Sequence, residues 1–357
     1  MTYNCSWRYK KMMRPFSQKY FYFIVNSFLT GYILVISAPI FNPLLAALIL
    51  ALALKPFATF LEKFKVPRLL ASLISVIAFV IVLAGLILFF QAQIRNIDFK
   101  LGHISQNMVS MPTYIQSSIS NFFGINQEQQ TSLLNEVFTI MIKNSTVLFN
   151  HTLSFTTALV ASISIFIIAL FFFLNYRKFF KKFLFKVVNE KYHPNLNRIL
   201  TRILSVVSRY ILGLLLIIFI VALLNTLGLW LLGVEHAILF GVLAAVLILI
   251  PYIGIFIGSL LPALFVLLTK GSFGYAIAVI FIFIIVQFLE GNFFTPNIVG
   301  SQVSVNPFAA ILGLLIGGLL LGITGIMFAL PVLAITKVIC DEIKSLEPIG
   351  YLISNPK

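Results

Sequence analysis

The sequence predicts an all-α, polytopic transmembrane helical bundle of about six to eight spans, with broken or re-entrant helices in its C-terminal half. Three observations carry that prediction. The chain is 60% hydrophobic and only 10% charged, with a mean hydropathy of +1.06, whereas a globular domain would be about 25% charged. Several apolar runs approach the roughly 20 residues that cross a hydrocarbon core of about 30 Å, where helices satisfy their own backbone groups. Between Leu227 and Lys337 the chain is almost uncharged, yet it is interrupted by IPYIG (Ile250 to Gly254) and LEGNFFTPNIVG (Leu289 to Gly300). Such breaks survive at membrane depth only where protein or a water-filled cavity satisfies the freed backbone groups.

Taken in order, the first span is expected at Phe21 to Ala38 and the second at Phe41 to about Leu54, with Asn42-Pro43 making a tight turn between them. The basic N-terminus before Phe21 reads as a retained first helix rather than a cleaved signal peptide. A basic linker follows, and Leu69 to Phe90 forms the third span. Residues 91–150 have balanced charge, with apolar residues at three- and four-residue steps such as Leu133, Val137 and Met141. Surface-lying amphipathic helices outside the cytoplasm fit that pattern. Thr152 to Tyr176 returns the chain. The basic stretch after it interleaves Phe and Leu with Lys, as an interfacial amphipathic helix does, and His193-Pro194 breaks it before the fifth span, Ile211 to Leu232. The chain thus divides into N-terminal helices (1–90), an extracytoplasmic insert (91–150), a fourth span with basic helices (151–205), a core of discontinuous helices (206–340) and a cytoplasmic tail (341–357).

The net charge of +15 raises nucleic acid as a partner, but its placement argues against one. Residues 1–19 hold five Lys/Arg and no acid, and residues 176–209 hold nine against Glu190 alone, so the two segments supply +13 beside apolar spans. That is the positive-inside pattern: it orients both termini toward the cytoplasm of a plasma (bacterial inner) membrane and offers contacts to anionic lipids. Cys5 and Cys340 lack partner spacing, so neither a disulfide framework nor a metal site follows.

The core holds the candidate site. Ala237 to Leu268 is a 32-residue apolar run, about 48 Å as one helix; Pro251 and Gly254 cut it into pieces of about 21 Å, too short to span. A re-entrant hairpin or an unwound helix fits better than one regular span. Phe308 to Ile339 carries Gly313, Gly317, Gly318, Gly322, Gly325 and Pro331, so it too should be broken or closely packed, as either a hairpin or a crossing. HAILFG (His236 to Gly241) against AAILG (Ala309 to Gly313), and LLPALFVLLTK (Leu260 to Lys270) against ALPVLAITK (Ala329 to Lys337), hint at an internal repeat; chance likeness of apolar, Gly-rich stretches explains them as well.

Glu290 stands against the apolar run AIAVIFIFIIVQFLEGN, where an ionisable group is a candidate for proton or cation exchange; its bland role is to mark the water-facing end of that run or cap the following break. Gln287 lies one turn earlier on the same face. Asn292, Asn297 and Asn306 offer carbonyl oxygens to a cation, though Asn beside Pro and Gly equally serves turns. Tyr252 is a cavity-lining residue or an interfacial anchor. The expected breaks or hinges are Pro251, Gly254, Pro262, Gly291, Pro296, Gly300, Pro307, Gly322, Gly325 and Pro331.

Pro251-Tyr252-Ile253-Gly254 with Pro262, Glu290-Gly291-Asn292 with Pro296 and Val299-Gly300, Pro307, and Gly322-Ile323-Thr324-Gly325-Ile326 with Pro331 resemble the signature of the AI-2E family of bacterial permeases. Pro67-Arg68-Leu69-Leu70-Ala71 and Leu232-Gly233-Val234 match it as well, and the resemblance spans nearly the whole chain. One departure is Leu214 after Gly213, where members often carry a polar residue. The resemblance implies a secondary transporter, of autoinducer-2 or another small polar molecule, or an exchanger of Na⁺ for H⁺.

No catalytic constellation accompanies these features. There is no GxxxxGK[ST] loop for ATP, no HExxH or paired-His metal spacing, and no nucleophile motif, so no enzyme, cofactor or bound metal is expected. A non-transporting scaffold, whose breaks serve packing and homo-oligomer formation, and a passive channel remain the alternatives to a transporter.

Overall fold

The computed structural model describes residues 5–95, 159–251, 253–300 and 305–355, and the side chains of these except 5–20 and 23. Every long element among them is helical. The expected amphipathic helices of the insert fall largely outside the described residues, as does Tyr252.

Helix α1 (Cys5–Lys63) runs for 59 residues straight through Asn42-Pro43, so the two expected N-terminal spans are one helix. In hydrocarbon no water is present to bond the carbonyls a turn would free, and losing one hydrogen bond at Pro43 is the smaller penalty. A short turn at 64–67, with Lys65 at positive φ, leads to α2 (Arg68–Arg95), which packs back on α1. Much of both helices is apolar and exposed, as in Phe28 and Val82, as a lipid-facing surface must be. Helix α3 (Leu159–Asn175) joins them through Leu170 and Leu174, packed with Ala47, Ala51 and Val76. At Tyr176 the chain bends by 69° into α4 (Arg177–Val187), the expected amphipathic basic helix. His193 ends that excursion by placing Nε2 2.8 Å from the Phe185 carbonyl and 3.0 Å from that of Val188, and Pro194 opens α5 (His193–Leu231).

Helix α5 is the axis of the remaining structure. After a turn whose base is tied by Lys270 Nζ donating to Leu232 O (3.2 Å) come α6 (Ala237–Leu247) and α7 (Ile253–Lys270). These two helices are the arms of a hairpin. A Cβ on Gly258 would lie 2.9 Å from that of Ala244, a Cβ on Gly254 would overlap the Leu247 carbonyl oxygen, and the His236 and Phe265 rings meet at 5.8 Å. Pairs whose numbers rise on one arm as they fall on the other define antiparallel arms, with the chain reversing after Leu247. The fold is tight because Ile248, Leu249 and Ile250 donate three residues back, and Gly254 leaves room for the approach.

Helix α8 (Phe273–Leu289) continues as two π-helical turns, Glu290–Phe294 and Pro296–Gly300. It runs antiparallel to α5: a Cβ on Gly228 would touch Ile282, and one on Gly213 would touch Ile298 and Val299.

Helix α9 (Pro307–Glu342) is two helical segments joined at Gly322, whose φ of 62 and ψ of −142 form a conformation only glycine adopts readily. There the helix folds on itself. A Cβ on Gly317 would lie 2.6 Å from the Gly325 carbonyl oxygen, and one on Gly318 would lie 3.1 Å from Ile326. In an uninterrupted helix, residues eight apart are separated by about 12 Å. Residues 307–321 and 323–342 are therefore two arms of a second hairpin. Its base is pinned by Asn306, whose Oδ1 caps Ala309 N at 2.7 Å while Nδ2 donates to Leu352 O (2.6 Å) and Ser354 O (3.0 Å) at the C-terminal end of the terminal helix α10 (Glu347–Ile353).

Candidate functional site

The two hairpins enter from opposite ends of α5. The first is based at the α5 C-terminus, through Leu232. The second is based at the α5 N-terminus, where Arg202 Nη1 and Arg198 Nε stand 2.8 and 3.3 Å from the Glu342 carboxylate. Their inner parts converge: Ala245 and Ile248 of the first and Leu330 of the second share one apolar cluster with Ile217 and Val221 of α5 and with Val286 and Ile298. The turn of the second is held from outside the hairpin. Its break at Gly322 is matched by Asn42 Nδ2, which donates to Leu321 O at 3.1 Å, so the residue read as a turn former in α1 instead caps a distant carbonyl.

Glu290 lies at the same depth. Its position in sequence is midway between Ile282 and Ile298, which face Gly228 and Gly213 respectively, and this puts it opposite the middle of α5. Gln287 Nε2 donates to Glu290 Oε2 at 2.6 Å, and Thr295 Oγ1 donates to Glu290 Oε1. Thr295 was not singled out from the sequence, because in an α-helix residue i+5 points away from residue i. The π turn changes that: the Thr295 amide bonds the Glu290 carbonyl, so positions five apart stack on one face. The half-buried carboxylate thus has an amide and a hydroxyl as partners and no cation within ion-pair distance among the described residues.

The other candidates are dispersed. Asn292 Nδ2 and Asn297 Nδ2 donate to the carbonyls of Phe288 (2.9 Å) and Phe293 (2.7 Å) on an exposed face, satisfying backbone groups loosened by the π turns. Asn306 sits at the base of the second hairpin, away from Glu290. Pro251 and Gly254 form the first turn, and Gly322 and Gly325 lie at the second. Pro262 and Pro331 are buried inside the returning arms, which continue through them unbroken. Gly291, Pro296 and Gly300 belong to the π-wound stretch, and Pro307 opens α9. Leu214, the departure noted above, is packed in the apolar cluster around Ile217. Asn225 is 2% exposed in α5, and its Oδ1 accepts no hydrogen bond among the described residues. It is a further buried polar group one turn from Val221 that the sequence offered no reason to select. No group of three His, Cys, Asp or Glu suited to a metal ion occurs among the described residues.

The sequence model of a family described as "AI-2E family transporter" matches residues 21–345. "Putative transport protein YueF" of Bacillus subtilis is 28% identical over 326 residues, covering 87% of this chain and 86% of that relative. "Putative transport protein YrrI" of the same organism is 38% identical over 129 residues, 36% of each chain. "AI-2 transport protein TqsA" of Escherichia coli is 29% identical over 124 residues, 35% of this chain and 36% of its own length. The matches to YrrI and TqsA thus cover little more than a third of those proteins.

Proposed function

The chain belongs to the AI-2E family of transporters, a multi-pass membrane protein with a transport role, and on that premise we propose that it is a secondary transporter. It moves a small polar metabolite or signal molecule, or exchanges Na⁺ for H⁺, across the bacterial inner membrane. Its basic face, formed by α4 and the start of α5, lies in the cytoplasm. The observation that carries the reading is the pair of opposed hairpins whose inner parts meet at the depth of Glu290. Opposed broken elements give a binding site that can be closed from either end, and transporter sites lie at the midplane between such elements. Glu290, with Gln287 and Thr295, is the group that takes up and releases a proton or cation there. An ionisable group beside broken intramembrane helices is a candidate for function by default.

A liposome flux screen across Na⁺, H⁺ and small polar metabolites tests the proposal, with wild type and Glu290→Gln measured in parallel. Saturable flux that depends on pH in wild type and loses that dependence in Glu290→Gln is the expected result. Flux absent for every solute returns the chain to the scaffold alternative, unsaturable current to the channel. Unchanged pH dependence in Glu290→Gln makes the carboxylate structural.

A further inference from the structure

Away from the hairpins, α1, α3, α4 and the start of α5 enclose a cavity of about 660 Å³, a size typical of pockets that hold drug-sized ligands. Its walls are graded. On α1, Leu48, Ala51 and Leu52 give way within two turns to Lys55, Thr59 and Glu62; across the cavity, Phe173 and Leu174 give way to Arg177, Lys178 and Lys181. Both walls acquire basic groups toward the same end, the end at which α3 bends by 69° into α4, where Phe180, Phe183 and Leu184 of α4 and Leu200, Ile203 and Leu204 of α5 complete an otherwise apolar lining.

The charge at the basic end is only partly compensated: one carboxylate, Glu62, faces Lys55, Arg177, Lys178 and Lys181. Glu62 is already held by Arg177 Nη2 at 2.5 Å and lies 3.7 Å from Arg68 Nε. Arg177 nevertheless keeps Nη1 buried and without a hydrogen bond among the described residues. Lys181 Nζ donates to the neutral Asn197 Oδ1 at 2.9 Å, and Lys55 has no acidic partner among the described residues. The first turn of α4 has no side-chain cap, and its N–H groups add to the positive field. A ligand that fits these walls has one anionic end and an apolar body.

We propose that this cavity binds an anionic glycerophospholipid from the leaflet at the basic face, its phosphate held by Lys55, Arg177 and Lys181 and its acyl chains lying along Leu48, Leu52 and Phe173. The site ties the α3–α4 bend to α1 and α5. It is independent of the transported solute.

Native mass spectrometry of the full chain in detergent, titrated separately with phosphatidylglycerol, phosphatidylcholine and inorganic phosphate, tests the site. Phosphatidylglycerol should be retained in preference to phosphatidylcholine, and inorganic phosphate should not displace it. Lys55→Gln and Lys181→Gln should each weaken phosphatidylglycerol binding about fivefold, the effect of one Lys at a membrane surface. Lys344→Gln, a basic change outside the cavity, should leave binding unchanged. Two lysine variants are used so that loss of folding in one leaves the other to decide, with wild-type gel-filtration elution as the criterion. Equal retention of phosphatidylcholine overturns the proposal, because the headgroup charge is then not read. Displacement by phosphate overturns it in favour of a free anion, and equal weakening by Lys344→Gln in favour of diffuse surface attraction.

Discussion

Gly317→Ala probes the fold-back of α9 directly. The added Cβ would lie 2.6 Å from the Gly325 carbonyl oxygen and 2.9 Å from its carbonyl carbon. Carbon–oxygen contacts settle near 3.3 Å, so the arms must part by about 0.7 Å where they cross. The obstacle is backbone, which cannot rotate aside as a side chain would. Overpacking of this kind costs about 1–3 kcal/mol, and the melting temperature of the purified protein should fall by about 3–10 °C. Gly85→Ala is the control: nothing lies within 4 Å of its Cβ, and Ala is favoured over Gly in a helix by about 1 kcal/mol, so melting should hold or rise. Liposome flux should fall in Gly317→Ala, because parting the arms pulls the turn away from Asn42, and should hold in Gly85→Ala. If Gly317→Ala melts with Gly85→Ala, the two arms are not in contact and the hairpin reading fails.

Asn42→Leu should lower stability by about 1–3 kcal/mol in thermal melts, since the part-buried Leu321 O, beside the break at Gly322, loses its donor; a melt identical to wild type would show that the carbonyl has another partner. Pro251→Ala with Gly254→Ala should abolish flux while the protein stays in the membrane, and Gly254→Ala alone should account for most of the loss, because its Cβ overlaps the Leu247 carbonyl; normal flux in the double variant removes the first turn from the mechanism. With Cys5 and Cys340 replaced, single cysteines at Asn195 and Leu346 should react with an impermeant thiol reagent from one side and a cysteine at Gly271 from the other, since the hairpin bases lie at opposite ends of α5. Labelling of Leu346 from the Gly271 side would mean that α9 crosses the membrane.

The sequence by itself determined the class of molecule. Apolar content, run length and the clustering of basic residues are additive properties of composition, and they suffice for an all-helical membrane bundle with a basic face. The sequence also marked Pro251, Gly254 and Gly322 as places where helix fails, because those residues remove a hydrogen bond or permit a left-handed backbone wherever they occur. Whether a failed helix turns back, crosses or simply continues was decided only by tertiary structure. Asn42-Pro43 carries the same local signal as the turn after Leu247, yet α1 runs through it, and the Asn42 amide bonds a carbonyl 279 positions away. Thr295 reaches Glu290 only because the backbone between them is π-wound. The two chain reversals rest on interhelical contacts such as Gly317 against Gly325 and Gly258 against Ala244. In hydrocarbon a freed backbone group must find its partner within the protein, so the outcome of each break depends on what the rest of the fold brings beside it, and no local stretch of sequence contains that information.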